Sequence, residues 1–289
     1  MKAFDYHRPT ALGEAFRLAG ECPGARYIAG GTDLLVRIRA GRERPEALIS
    51  LGRVEALAGI AIGPSTRIGA RATIGDLLRH RELVQSYPLL DQAARVFASA
   101  QVRNLATVAG NLCNASPAAD MAPVLLALDA RVTVEGPTGS REVALDAFFT
   151  GPGLTTLAPG ELVTAIVLDA PHDAARSCFL RQGRVGMDIA LTSVAVHCRL
   201  VGGRLEHVRI AAGAVAPRPI RLRAVEDLLE GREVVNGHGR DLFDEAAHVA
   251  VGEIAPITDI RAGADYRRRL TGVLLVRALR WAIGKGDAV

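Results

Sequence analysis

The chain has 289 residues, 49% of them hydrophobic, and a formal charge of +4 at neutral pH. That length holds one large domain or two to three small ones, and no stretch reaches the roughly 18 uninterrupted apolar residues of a membrane span, since Arg131, Glu135, Asp169 and Arg199 break the longer apolar runs. The basic residues are dispersed and aromatics are only 4%, which argues against a nucleic-acid reader, where a basic patch or an aromatic platform is the usual mark.

The first residues, MKAFDYHRPT, contain no apolar core of a secretory signal, so cytoplasmic residence is expected. Pro9-Thr10 then precede an apolar helical face of Leu12, Ala15, Phe16 and Ala19, with Thr10 placed to cap it. Arg26–Ala29 reads as a short buried strand, Asp33–Ala40 as a helix after a glycine turn, and Ala47–Leu51 as a second strand. Together these predict a small βαβ-like lobe over residues 1–57. Residues 58–70 alternate around Gly63-Pro64, which predicts a hairpin. Thr73 and Asp76 have the spacing of a capping box. Pro88 opens a helix reaching Phe97, and Met121–Leu128 is an apolar helix. Arg131–Glu135 and Arg141–Leu145 flank a second hairpin turn, and Glu161–Leu168 is a strand. A boundary is expected near Pro171, closing a central lobe over 58–175. In 176–289, Ile189–Leu200 and Leu205–Ala211 read as strands. Ile220–Leu229, Leu242–Gly252 and Asp265–Ile283 read as helices, the last from the helical spacing of Tyr266, Leu270, Val273, Leu274 and Ala278. Three strands and three helices are expected there.

Two loops carry the chemistry. In Ile28-Ala29-Gly30-Gly31-Thr32-Asp33-Leu34 an apolar run meets two glycines, a hydroxyl and a helix. In 106–120, Ala106, Thr107, Ala109 and Gly110 are followed by Asn111, Asn114, Ser116-Pro117 and Asp120. Small residues let backbone approach a ligand, and successive N–H groups form anion sites. Hydroxyls and amides suit phosphate oxygens and sugar hydroxyls. Two such loops suit a cofactor with a pyrophosphate tail. The first is not a G-x-G-x-x-G fingerprint, and on the residues alone it is equally a strand-to-helix turn with Asp33 as cap.

With AGGTDLL at 29–35, QVRN and TVAGN across 101–111, and SPxxD at 116–120, the chain resembles the FAD-binding medium subunits of the molybdenum hydroxylases. GRVGMDIALTSVAV at 183–196 and DYRRRLTGVLLVRAL at 265–279 extend the resemblance over nearly the whole chain. It implies an α+β fold: a PCMH-type (vanillyl-alcohol oxidase-like) FAD-binding fold of two lobes, plus a C-terminal α+β domain with a three-stranded sheet and helices. It implies non-covalent FAD extended between the first two lobes, with the third covering the ring. Thr107, Gly110 and Asn111 would meet phosphates and sugar, with Asn114 adding a polar contact. Family members more often carry Gly where Ala109 stands and a hydroxyl where Asn114 stands. Asp120 would accept from ribityl hydroxyls, since an acid is ill placed against phosphate; the alternative is a helix N-terminal charge. Phe97 would stack on the isoalloxazine, against the alternative of a core residue. Leu162 or Val163 would pack on the ring. Arg181 would lie near the pyrimidine end, where a cation favours reduced flavin; the alternative is a surface arginine. Asp188 stays open between a ring contact and a structural one.

Cys22, Cys113, Cys178 and Cys198 are scattered without a CxxC pair, and are expected to be structural. His172 and His197 read as ordinary surface or core histidines. The resemblance therefore implies partners: a large molybdopterin subunit and a small subunit with 2Fe-2S clusters, in a dimer of heterotrimers, with electrons passing through this FAD to NAD, quinone or oxygen. Two rival readings are a free-standing flavin reductase or oxidase and a flavin-free assembly subunit.

Overall fold

The computed structural model describes residues 3–172, 174–234 and 239–284; the ends of the first and last expected lobes, 1–2 and 285–289, lie outside them. The chain opens with β1 (Asp5–His7), α1 (Leu12–Glu21), β2 (Arg26–Ile28), α2 (Leu34–Arg39) and β3 (Ala47–Ser50). The strands form a parallel sheet in the order β1-β3-β2. Parallel strands need crossover connections, and α1 and α2 supply them. The central β3 is buried throughout. Thr10 does not cap α1: Ala11 holds that position without a side-chain bond. Instead the Thr10 amide donates to Glu14 (3.0 Å), which satisfies the chain entry from inside the first turn.

The hairpin β4 (Ile60–Ala61) and β5 (Ser65–Gly69) forms as expected, followed by α3 (Ile74–Arg79), α4 (Arg81–Ser86), α5 (Pro88–Val96), α6 (Ala100–Arg103), α7 (Val108–Cys113) and α8 (Met121–Ala127). Then come β6 (Arg131–Gly136), β7 (Gly139–Ala144), α9 (Leu145–Phe148), β8 (Phe149–Gly151), β9 (Leu154–Thr155) and β10 (Leu162–Asp169). The second sheet runs β4-β5-β10-β6-β7. Its middle strand, β10, is buried over most of its length. One apolar core runs from Ala15 and Ile49 of the first lobe through α5, α7, α8 and β10, so the first two lobes share an interior.

The last unit contains β11 (Ala175–Gln182), β12 (Thr192–Val201), β13 (Arg204–Gly213), β14 (Ile220–Arg221), α10 (Arg223–Leu229), α11 (Gly239–Glu253) and α12 (Ala264–Ala282). Its sheet has four strands, not three, in the order β11-β12-β13-β14. The extra strand takes Ile220 and Arg221 from the expected helix. Pro217 and Pro219 keep a helix from starting this early, and Ile220 and Arg221 pair with Ala212 and Ala211. A second core joins this sheet to α10, α11 and α12. Every residue of α8 is buried, because it is wedged between the central sheet's helices and the face of β12 and β13. No helix among the described residues is long and apolar enough to cross a membrane.

Candidate functional site

β2 delivers its chain to the first loop with Ile28 buried beside Ile38 and Leu48, and Leu34 packed on them. The chain then turns through Ala29 and Gly30 into Gly31, whose φ is +69°, a conformation glycine adopts without cost. Gly30 is required by a closer constraint. A Cβ there would lie 1.8 Å from the carbonyl oxygen of Leu105, so the two glycine loops touch backbone to backbone. Among the described residues, the amides of Gly31, Thr32 and Asp33 donate no hydrogen bond within the chain, and the Thr32 hydroxyl has no partner. Asp33 occupies the cap position of α2 but makes no capping bond; its carboxylate pairs with Arg37 (2.7 Å) instead.

The second loop is anchored from behind. Ile74 donates to the Ala106 carbonyl (2.9 Å) and Val108 to that of Ala72 (3.1 Å), placing Thr73 opposite Thr107 in a single β-bridge. Each threonine caps a helix. Thr73 and Asp76 complete the expected capping box at α3. The Thr107 oxygen accepts from the Gly110 amide (3.0 Å) at α7. A Cβ on Gly110 would sit 2.7 Å from that oxygen, so the glycine makes room for the cap itself. Ala109 is buried in α7. Asn111 accepts from the Met121 amide (3.3 Å), fixing the start of α8. The Asn114 oxygen accepts from Arg37 (2.9 Å), so Arg37 links the loops through Asp33 and Asn114. Both asparagine amide nitrogens lack partners among the described residues.

Asp120 stands at the head of α8, beside Asn111's contact. One carboxylate oxygen faces Arg181 Nη1 (3.3 Å); the other is buried with no partner. Burial pushes its carboxyl up to about 6, against the opposing pull of Arg181. Arg181 is no surface residue: its side chain is 8% exposed. It donates to the Val96 carbonyl (3.0 Å) and to that of Asp188, tying β11 to the end of α5. The Asp188 carboxylate pairs with Arg184 (2.7 Å). Phe97, Leu162 and Val163 are buried in the main core. The turn holding Phe97 is clamped by Arg103, which donates to the carbonyls of Phe97 (2.9 Å) and Ala98 (3.0 Å).

The structure thus brings Gly30, Gly31, Thr32, Thr107, Gly110, Asn111, Asn114 and Asp120 to one region, with Arg181 entering from the third sheet. Sequence reasoning missed Arg37, Leu105 and the clamp by Arg103. Arg37 was detectable as the i+4 partner of Asp33 on a helix; the Leu105 contact left no signal. Of the cysteines only Cys113 lies in this region, at the end of α7 beside Asn114. Cys113 is half-buried as a residue but its thiol is enclosed, and burial pushes it, like those of Cys178 and Cys198, up to about 12. No group of three metal-ligating side chains occurs among the described residues.

Open amides on one loop, amide donors on the other and a buried acceptor beyond them suit an elongated ligand with an anionic middle and hydroxyls at one end. Residues 2–171 match a family model described as the FAD binding domain in molybdopterin dehydrogenase, and residues 178–282 one described as the CO dehydrogenase flavoprotein C-terminal domain. The chain is 32% identical to the carbon monoxide dehydrogenase medium chain of Hydrogenophaga pseudoflava, covering 96% of this chain and 97% of that one. It is 30% identical to the xanthine dehydrogenase FAD-binding subunit of Escherichia coli O157:H7, covering 96% and 95%. Among solved structures, the carbon monoxide dehydrogenase of Hydrogenophaga pseudoflava superposes with a TM-score of 0.94 at 33% identity, covering 99% of each chain. The quinoline 2-oxidoreductase of Pseudomonas putida 86 gives 0.91 at 29%, covering 99% of this chain and 100% of that one.

Proposed function

Because the chain belongs to the FAD-binding medium subunits of molybdenum hydroxylase-type complexes, we propose that it is the middle station of an electron relay, accepting electrons from the 2Fe-2S clusters of a small partner subunit and passing them to NAD, a quinone or oxygen. The observation that carries the site assignment is the unpaired, buried oxygen of Asp120 beside two touching glycine loops. A buried acceptor without a donor is costly, and a ligand hydroxyl relieves it. FAD, when bound, interconverts two-electron and one-electron chemistry.

The chain's own groups do the rest. The amides of Gly31 and Thr32, the Thr32 hydroxyl and the amide side chains of Asn111 and Asn114 hold the phosphates and sugar. Gly30 keeps the loops close enough for one pyrophosphate to meet both, and Gly110 leaves room for the Thr107 cap. Thr107 holds α7 in place, and Asp120 accepts from the ribityl chain. Arg181 would supply a positive charge at the ring end, which favours reduced flavin, and Phe97 and Leu162 would form the apolar floor. The lobes run 1–57, 58–175 and 176–289. Substrate is oxidised at molybdopterin on a large partner subunit, in a cytoplasmic dimer of heterotrimers.

The purified chain should carry yellow, acid-releasable FAD, and a folded protein unable to take it up overturns the site. Mixed without air with aldehydes, purines or aromatic heterocycles, the isolated flavoprotein should not bleach. Rapid bleaching by one of them would place a substrate site on this chain and end the relay reading.

A further inference from the structure

The corner between α5 and α6 turns on one strained residue. α5 ends at Val96, Phe97 is its C-cap, and Ala98 follows with φ at 38°. Helices commonly end on a left-handed residue at this position, and glycine is the usual choice because a Cβ makes that conformation costly. Ala98 packs against the main core. Ser99 then caps α6, its hydroxyl oxygen accepting from the Val102 amide (3.3 Å), so Ala98 alone separates the caps of the two helices.

What holds the corner is Arg103. From the last position of α6 its side chain folds back, and Nη1 donates to the carbonyls of Phe97 (2.9 Å) and Ala98 (3.0 Å), with that of Arg95 further off at 3.4 Å. A second guanidinium meets the same helix end: Arg181, from β11, donates to the Val96 carbonyl (3.0 Å). A helix C-terminus gathers unpaired carbonyls and a partial negative charge, which cations satisfy. Arg103 serves it locally and Arg181 from another sheet, so the corner that presents Phe97 also anchors Arg181.

We propose that Arg103 is a positioning residue for the ring end of the site: by holding Ala98 left-handed it fixes the corner that carries Phe97 and receives Arg181, so that aromatic and cation meet the flavin as one unit. This rests on the flavin reading above and adds to it a residue that acts through others. Without the guanidinium, the Phe97 and Ala98 carbonyls lose their donor and Ala98 relaxes toward the regions that residues with a Cβ prefer, shifting Phe97 and the Val96 carbonyl together. The glycine-loop contact is tied separately. The amides of Leu105 and Ala106 donate to the Val102 carbonyl (3.0 and 2.7 Å), and the Ala106 carbonyl accepts from Ile74 (2.9 Å), so losing the Arg103 side chain leaves Leu105 against Gly30.

Titration of FAD and of ADP into the flavin-free full chain tests it, since ADP carries the diphosphate without the ring. Arg103→Leu should weaken FAD about tenfold and change ADP by less than about twofold. Arg103→Gln, which keeps an amide donor, should show the same selectivity at about threefold, and it keeps the test open if Arg103→Leu folds poorly. Adding Ala98→Gly to either variant should recover most of the lost FAD affinity, because glycine takes the left-handed conformation unaided; an arginine that only stabilised the fold would gain nothing from that change. Equal losses of FAD and ADP, full FAD affinity in both Arg103 variants, or no recovery with Ala98→Gly overturns the clamp. A natural chain that takes up no FAD overturns the flavin reading itself, and this role with it.

Discussion

The contact between the two glycine loops and the seam around Asp129 both join segments distant in sequence, and they are built in opposite ways. At Gly30 and Leu105 the junction is backbone on backbone, with amides and one carboxylate oxygen left unpaired. At the seam, arginines of the last unit meet carboxylates of the central lobe. Arg221, 3% exposed, bridges Asp129 and Glu226, and Asp146 takes Arg218 and Arg223. Buried polar groups cost free energy unless satisfied. The seam satisfies its own, and the loop junction leaves backbone amides and one Asp120 oxygen without partners among the described residues. Among the described residues Asp91 Oδ1, Thr156 Oγ1 and Arg267 Nε are also buried without a partner, so it is the touching loops together with the Asp120 oxygen that set this junction apart from the seam.

The largest effect should come from breaking the seam. Arg221→Met strands Glu226, which is 7% exposed, and should cost about 3–5 kcal/mol in urea unfolding. Its surviving folded fraction should bind FAD normally; a selective loss of FAD would mean the seam belongs to the site. Gly30→Ala should do the reverse. Its Cβ meets a carbonyl at 1.8 Å, so the loops must part, costing about 3 kcal/mol and about a hundredfold or more in FAD affinity. Unchanged flavin titration in that variant would show that loop contact is not what the site needs.

Acid and base should sharpen the contrast in the flavin-free chain. Asp120 has a folded pKa of about 6, above its usual 3.8, so its contribution is present below 3.8 and lost as pH rises to 6. His197 is lowered from 6.5 to about 4, so its contribution is present above 6.5 and lost as pH falls to 4. Each is worth at most about 3 kcal/mol, and between pH 4 and 6 they oppose each other. Asp120→Asn should leave a chain that weakens toward acid, and His197→Gln one that weakens toward base, measured by melting across that window. Parallel pH curves for the two variants would disprove this opposition. Gly110→Ala displaces the Thr107 cap and should cost about 1 kcal/mol in melting. The exposed Asp33–Arg37 pair should contribute least: Asp33→Asn should shift stability by no more than about 0.5 kcal/mol, and a larger shift would mark Asp33 as part of the site.

Much of this was legible in the residues. The Thr73–Asp76 box, the hairpin at Gly63-Pro64 and the helix opened by Pro88 depend on neighbours within four residues, which any local pattern exposes. The errors fell where distant partners decide. Ile220 and Arg221 carry a helical pattern, yet pairing with β13 and the reach of Arg221 to Asp129 draw them into a strand. Arg181 was as readily a surface residue, because nothing near it in sequence announces Val96 or Asp120. Phe97 remained ambiguous for the same reason: its side chain is buried against the main core, which fits a core residue and an apolar floor alike.

By itself the sequence determined which segments turn, cap and bury, and the order of motifs that identifies the family, since these follow from short-range sterics and apolar periodicity. Only the tertiary structure decided that Gly30 must be glycine, that one Asp120 oxygen lacks a donor, and that Arg181 reaches the Val96 carbonyl. Each depends on a contact between residues dozens of positions apart, where burial and charge are set by chain packing and not by neighbours along the chain.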